Sequence, residues 1–412
     1  MPISVHMRAR SLRLLLPLCW LVLPSQASAA PAVPLPLGVH EPAPTLFGIN
    51  TGTYDSNRAD FARDIRTARG LGARWVRFTG DSIHWRGDRP NFGVLDSEVT
   101  AAKKRGLGVL LSLGGAAPAC SLSPRPADVT ACPPTTGRDL RAYASFLRTV
   151  TLRYRNVVDA YESWLEPNTK SWWRPFPNPA QYAALLKTEY TVFQSLNRHY
   201  GLHLNLLFGG PNGFSDIPAP HGSIAALSFV QAVLADLHGV RAFDSVALDA
   251  YRYPQTDSGP AGAAWGPDQP EWDYVSGTAA SAGGQLWRQM TWSQELTAFE
   301  QQFAAQGYPG MALWLTEFGW PGVANPASAP VGEANLYPSF ATQAQWLSEA
   351  YRELFALPFV KAAFTFNLRD YQPGLANPDP PFFAHYGLLQ YDFVPKPAAF
   401  VFERLARANP LR

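Results

Sequence analysis

Hydrophobic positions along this chain follow two alternating periods. Eight short runs, at 46–51, 74–80, 108–115, 158–166, 203–211, 244–253, 311–320 and 360–371, are nearly continuous in apolar, β-branched and aromatic residues. Such runs mark strands buried on both faces of a parallel sheet. Between them apolar residues recur every three to four positions, which predicts amphipathic helices, for example over 58–71, 138–153, 181–200, 285–306 and 342–357, with a last one over 397–408. Eight β-then-α units in unbroken succession predict an α/β fold, a single-domain (β/α)8 TIM barrel, because an open doubly wound sheet normally stops sooner. No glycine fingerprint for a dinucleotide follows any of the runs, and no cofactor is expected.

The segments before the first strand read differently. Arg8, Arg10 and Arg13 precede an apolar run at 14–23, and Ala27-Ser28-Ala29 follows as a small-residue cleavage site, so residues 1–29 are expected to be a signal peptide. The apolar run is about half the roughly twenty residues a membrane span needs, and it contains Pro17. The expectation is a secreted protein, extracellular or periplasmic, without stable membrane insertion. Residues 30–44 form a Pro-rich extended lead-in, and 45–412 the barrel. Cys19 falls within the signal, after a leucine where a lipid-attachment site needs a small residue. Cys120 and Cys132 remain, in a Pro-rich loop, and are expected to form a local disulfide in an oxidising compartment.

Composition adds mostly exclusions. At 47% hydrophobic residues the 412-residue chain can fill one large core, and a monomer is expected. A net charge of +2 with 16% charged residues gives neither a basic surface for nucleic acid nor an acidic tail. Aromatic residues reach 13%, with 13 Trp, more than a core of this size demands. The long connections after the sixth, seventh and eighth strands, 254–284, 321–340 and 372–388, lie on the face where barrels carry their chemistry. They hold Trp265, Trp272, Tyr337, Phe382 and Phe383, which are expected to wall a cleft.

Two glutamates close the fourth and seventh strands, in the runs Tyr161-Glu162-Ser163-Trp164-Leu165-Glu166-Pro167-Asn168 and Trp314-Leu315-Thr316-Glu317-Phe318-Gly319-Trp320. Strands three apart face each other across the mouth of an eight-stranded barrel. Cleaving a glycosidic bond needs one protonated carboxyl and one ionised carboxylate flanking the bond, and this placement supplies both. The two runs resemble those of the clan A glycoside hydrolases, especially family 39 and the related exopolysaccharide glycosidases. The likeness rests on the Tyr-Glu-x-Trp lead, the Glu-Pro-Asn and the whole of Thr-Glu-Phe-Gly-Trp, and strand order extends it along the barrel. The resemblance implies a retaining enzyme acting on an oligo- or polysaccharide, with Glu166 as acid/base and Glu317 as nucleophile. The family's Asn before the acid/base, which holds the sugar 2-hydroxyl, is Leu165 in this chain.

Strand alternation, with side chains two apart sharing a face, places Trp164 and Glu162 inward together with Glu166. Arg77 on the second strand is then either the partner of Glu162 or, by resemblance, the group that holds Glu317 ionised. On the sixth strand the resemblance assigns a nucleophile and substrate contact to Tyr251, while Asp249 stands where the family has His. Trp172, Trp173 and Trp320 follow the two glutamates, where indole faces stack on sugar rings. Asn168, Asn212, Asn367 and Asp370 also follow strands, where each either binds a hydroxyl or caps a loop.

Other chemistries leave no trace. The eight His are scattered without an H-E-x-x-H pattern, so no metal is expected, and there is no G-x-S-x-G elbow of a serine hydrolase. The alternative from another class is a carbohydrate-binding pseudoenzyme on the same barrel, for which Leu165 is the support.

Overall fold

The structure is a computed structural model that describes residues 45–51, 60–80, 83–86, 89–114, 132–212, 223–252, 266–268, 271–275, 286–326, 337–373 and 381–409. The expected signal peptide, the lead-in, Cys120 and Trp265 lie outside the described residues.

Eight parallel strands close on themselves: β1 (Gly48–Asn50), β2 (Trp75–Thr79), β3 (Gly108–Ser112), β4 (Ala160–Glu162), β5 (Leu206–Phe208), β6 (Ser245–Asp249), β7 (Leu313–Phe318) and β8 (Val360–Thr365). Neighbours in sequence are neighbours in the barrel, and β1 pairs with β8 through Gly48 opposite Phe364 and Ile49 opposite Thr365. The helices are α1 (Phe61–Gly70), α2 (Gly93–Lys103), α3 (Gly137–Tyr154), α4 (Pro179–Tyr200), α5 (Ala226–Leu237), α6 (Trp292–Ala305), α7 (Phe340–Ala356) and α8 (Pro397–Ala408). Among the described residues no helix is long and apolar enough to cross a membrane.

All eight expected strands are present, and each is shorter than its apolar run. The helix expected over 285–306 is corrected: Leu286–Met290 pairs antiparallel with Glu271–Val275, and α6 starts only at Trp292. Thr291 sets that start with a capping box, its own backbone N–H donating to Gln294 Oε1 at 2.8 Å. A second hairpin, His84–Arg86 with Arg89–Asn91, follows β2.

Two inward layers fill the barrel. The lower is apolar, made of Trp75, Leu110, Ala160, Leu207, Ala247, Trp314, Ala362 and Phe364, with the two indoles edge to face at 5.4 Å. Two residues further along the same strands, alternation brings the next inward set to the carboxyl ends: Arg77, Ser112, Glu162, Asp249 and Thr316, all buried. An apolar plug thus carries a polar floor. Outside the strands a continuous apolar cluster packs the sheet against the helix ring.

Candidate active site

Glu317 reaches the polar floor by an irregularity. Alternation from Trp314 and Thr316 would turn Glu317 outward. The register of β7 shifts between Leu315 and Glu317 against β6, and between Leu315 and Phe318 against β8. Such a bulge re-aims side chains, and both Thr316 and Glu317 make inward contacts. Glu166 arrives by another route. β4 ends at Glu162, and Glu166 lies in the following turn with φ 39°, a left-handed conformation that non-glycine residues adopt only when their surroundings hold them there. Thr169 supports the turn, its backbone N–H donating to the Glu166 carbonyl at 3.0 Å. The turn packs closely on β5, since a Cβ on Gly209 would meet the Trp164 carbonyl oxygen at 2.1 Å.

One carboxyl oxygen each from Glu166, Asp249 and Glu317 lies within 4.8 Å of the others. The two glutamates are held differently. Arg77 Nη1 lies 2.5 Å from Glu317 Oε1, and the Tyr251 hydroxyl donates to Glu317 Oε2 at 2.6 Å. Glu166 is half-buried and accepts from Asn212 Nδ2 at 2.6 Å. Arg77 is itself fixed: Nε donates to Glu162 Oε2 at 2.8 Å, and Nη1 donates to Asn50 Oδ1 at 3.1 Å. Nη2 lies 2.7 Å from the same Glu162 oxygen, off the line of a hydrogen bond. Arg77 therefore contacts Glu162 and Glu317 at once.

Burial pushes the Glu317 carboxyl above its ordinary range, while the Arg77 charge and the Tyr251 hydroxyl pull it back. For Arg77, burial acts to lower the pKa, but Glu162, Glu317 and Asp249 outweigh it and leave the guanidinium firmly charged. Three carboxyl oxygens at this spacing also suit a divalent ion. Here those carboxyl groups are contacted by Arg77, Tyr251, Asn212 and Thr316.

Several expected sugar contacts are corrected. Trp164 is fully buried between Tyr143 of α3 and Trp173, its indole N–H donating to the Trp172 carbonyl at 2.8 Å. The alternation that placed it inward ends with β4. Trp173 is equally buried, edge to face on Tyr182 of α4, and Trp320 packs between Trp292 and Trp346. Asn168 is a loop fastener: its amide donates to the carbonyls of Asn212 and Ile224, and its oxygen accepts from the Asn212 N–H. Trp172 alone of the four tryptophans is half-exposed. Asn367 is buried beyond β8 with both amide atoms unpartnered, and Asp370 is taken by Lys396 at 2.7 Å. Of the loop aromatics, Tyr337 and Phe382 pack in a cluster with Tyr251, Phe366, Tyr371 and Tyr386, and Trp272 lies within the hairpin strand Glu271–Val275.

Residues that sequence reasoning passed over are Asn50 and Thr316, and it gave Asn212 no special weight. The alternation signal was present for the first two, since Asn50 ends β1 and Thr316 is two residues beyond Trp314. Nothing local marks Asn212, which acts through a loop.

No protein-family model matches the sequence, and no curated protein matches it. Solved structures do align. A family 39 glycoside hydrolase from Bacteroides cellulosilyticus shares 20% identity over 88% of this chain, with a TM-score of 0.56, and this chain spans 64% of its length. A monomeric beta-xylosidase from Caulobacter crescentus shares 16% identity over 89% of this chain and 69% of its own, with a TM-score of 0.54. A GH5_18 protein from Bifidobacterium longum subsp. infantis shares 15% identity over 89% of this chain and 79% of its own, with a TM-score of 0.58. At such identities the likeness is one of fold, the closed (β/α)8 barrel of glycoside hydrolases.

Proposed function

We propose that the chain is a secreted retaining glycoside hydrolase that cleaves O-glycosidic bonds of an oligo- or polysaccharide by double displacement. One observation carries this reading: oxygens of Glu166 and Glu317 lie within 4.8 Å across one barrel mouth. Retaining enzymes hold their carboxyls about 5 to 5.5 Å apart, whereas inverting enzymes need above about 6.5 Å to admit a water between carboxylate and sugar. The names of the aligned structures, a family 39 glycoside hydrolase and a beta-xylosidase among them, support the same class.

In the first step a Glu317 oxygen attacks the anomeric carbon while Glu166 gives its proton to the departing glycosidic oxygen. The Arg77 charge and the Tyr251 hydroxyl favour the ionised form of Glu317, against the opposing effect of burial. In the second step Glu166, now a carboxylate, takes a proton from water, which displaces Glu317 and restores the anomeric configuration. Asn212 holds Glu166 from the β5 side, and the left-handed turn aims it across the mouth. Trp172, half-exposed in the segment after Glu166, is the indole offered to a sugar ring. Export, with cleavage near Ala29 and a Cys120–Cys132 disulfide, completes the proposal.

Glu317→Gln keeps the shape and removes the nucleophile. On whichever glycan of a polysaccharide panel the wild type degrades, this variant is expected to lose more than about a thousandfold in kcat. A variant retaining a tenth of wild-type turnover would end the proposal.

A further inference from the structure

Asp249 is a third carboxyl in the mouth that the two-glutamate mechanism does not use. It ends β6, directly opposite Glu317 in the strand register, and it is fully buried. Its Oδ1 accepts from the Thr316 hydroxyl at 2.7 Å, and Oδ2 has no partner. Arg77 donates to Glu162, Glu317 and Asn50, not to Asp249.

The elements packed around this carboxyl each present groups to it. β7 brings Glu317 and Thr316, and β4 with its turn brings Glu162 and Glu166. β2 brings Arg77, and Tyr251 follows on the same chain segment. From β5, a Cβ on Gly210 would lie 2.6 Å from Thr316 Oγ1, 3.0 Å from Asp249 Oδ1 and 3.1 Å from Glu162 Oε1, so the loop backbone closes the remaining side. Among the described residues, Arg77 is the cation in contact with this carboxyl set, and it already serves two carboxylates. A further negative charge within 4.8 Å of both Glu166 and Glu317 would crowd the carboxylates that Arg77 already serves.

Resting on the glycosidase reading of Glu166 and Glu317, we propose that Asp249 is a positioning residue that remains a neutral carboxylic acid while the enzyme turns over. Its proton sits on Oδ2, the oxygen left free by Thr316. The mouth then carries the attacking carboxylate, the Glu166 acid and a neutral Asp249 that adds no further charge beside them. Burial first, and Glu317 second, push the Asp249 carboxyl well above its ordinary range, in keeping with this assignment.

The test is Asp249→Asn, which preserves shape, keeps an acceptor for Thr316 and replaces the O–H donor by N–H. The alkaline limb of kcat/KM is expected to stay within about 0.3 pH units above the wild-type position, because a neutral amide replaces a neutral acid and about 0.3 is the largest statistical gain when the removed site is no more acidic than the one that remains. Activity at the optimum is expected to stay within about threefold, because charge and shape are unchanged. A limb that moves down would mean that Asp249 was ionised and that its charge held the Glu166 proton. That result overturns the proposal.

A second measurement needs neither the variant nor turnover. In wild-type protein carrying carbon-13 at the Asp carboxyl carbons, one Asp carbon is expected to remain at its protonated position at pH 7. By that pH Asp370, raised by burial to about 6 against the pull of Lys396, has largely titrated. If every Asp carbon reads as carboxylate at pH 7, the inference on Asp249 fails whatever the kinetics show. If the protonated carbon is found in a protein that cleaves no glycan, it is the glycosidase reading that fails.

Discussion

At the scale of single residues, the proposed chemistry needs Glu317 ionised in a buried place. The Tyr251 hydroxyl lowers its pKa, as does Arg77, against the larger effect of burial. Tyr251→Phe removes one of these supports, so the Glu317 carboxyl rises further and a higher pH is needed to ionise it. The acid limb of kcat/KM is therefore expected to move to higher pH, with kcat at the optimum down about ten- to a hundredfold. A pH–rate profile checks both, and an unmoved acid limb would detach Tyr251 from the nucleophile. The sequence pointed to Glu166, Glu317, Arg77 and Tyr251 because each stands on or just after a strand within a recognisable run, and the structure brings the four side chains together. It misled on Trp164, Trp173 and Trp320, since a tryptophan near a strand end fills the gap between sheet and helices as readily as it meets a sugar. Alternation holds only while the strand lasts, and β4 stops at Glu162, two residues before Trp164.

At the scale of elements, the seam between β4, α3 and α4 carries a buried carboxyl behind the site. Glu189 of α4 accepts from the Tyr143 hydroxyl at 3.0 Å and from the Ser163 hydroxyl. Burial, opposed by those two hydrogen bonds, pushes it up to about 8. In the unfolded chain a Glu titrates near about 4.3. The folded pKa is the higher one, so the contribution of Glu189 to stability is complete below that unfolded value and is lost as pH rises toward about 8. Glu189→Gln removes this dependence. Between pH 5 and 9 the wild type is expected to lose stability relative to the variant by about 2 to 5 kcal/mol, read from denaturant unfolding at each pH. Parallel curves would show that Glu189 does not titrate there. The strand-and-helix succession was legible because both periods are strong, whereas the hairpin Glu271–Val275 with Leu286–Met290 was not. Its second strand runs almost directly into the helical pattern of α6, and only the Thr291 cap separates them. The bulge in β7 was hidden as well, since a local change of register leaves the residue order untouched.

For the whole molecule, closure joins the beginning of the barrel to its end. β1 pairs with β8, and Asp64 of α1 meets Arg369 beyond β8, with Arg369 Nε donating to Asp64 Oδ1 at 2.7 Å and Nη2 to Oδ2 at 3.2 Å. Both side chains are buried, and Arg369 also lies over the Phe393 ring at 4.4 Å. Removing Asp64 takes away the carboxylate that both Nε and Nη2 of the buried Arg369 address. Asp64→Asn is expected to cost about 3 kcal/mol in a denaturant titration, with part recovered on adding Arg369→Met. A loss below about 0.5 kcal/mol would show that this pair does not secure closure. The barrel was readable from the sequence because eight repeats of one unit leave few other ways to bury eight apolar runs. The ion pair was not, since its partners are 305 residues apart.

The central claim, that Glu317 attacks and Glu166 serves as acid and then base, is tested most directly by the stereochemistry of the first product. Proton NMR during early turnover of a glycan from the panel resolves the newly formed anomeric centre before it mutarotates. The account predicts retention, the outcome of two successive displacements at carboxyls this close. Inversion would mean a single displacement by water and would contradict it.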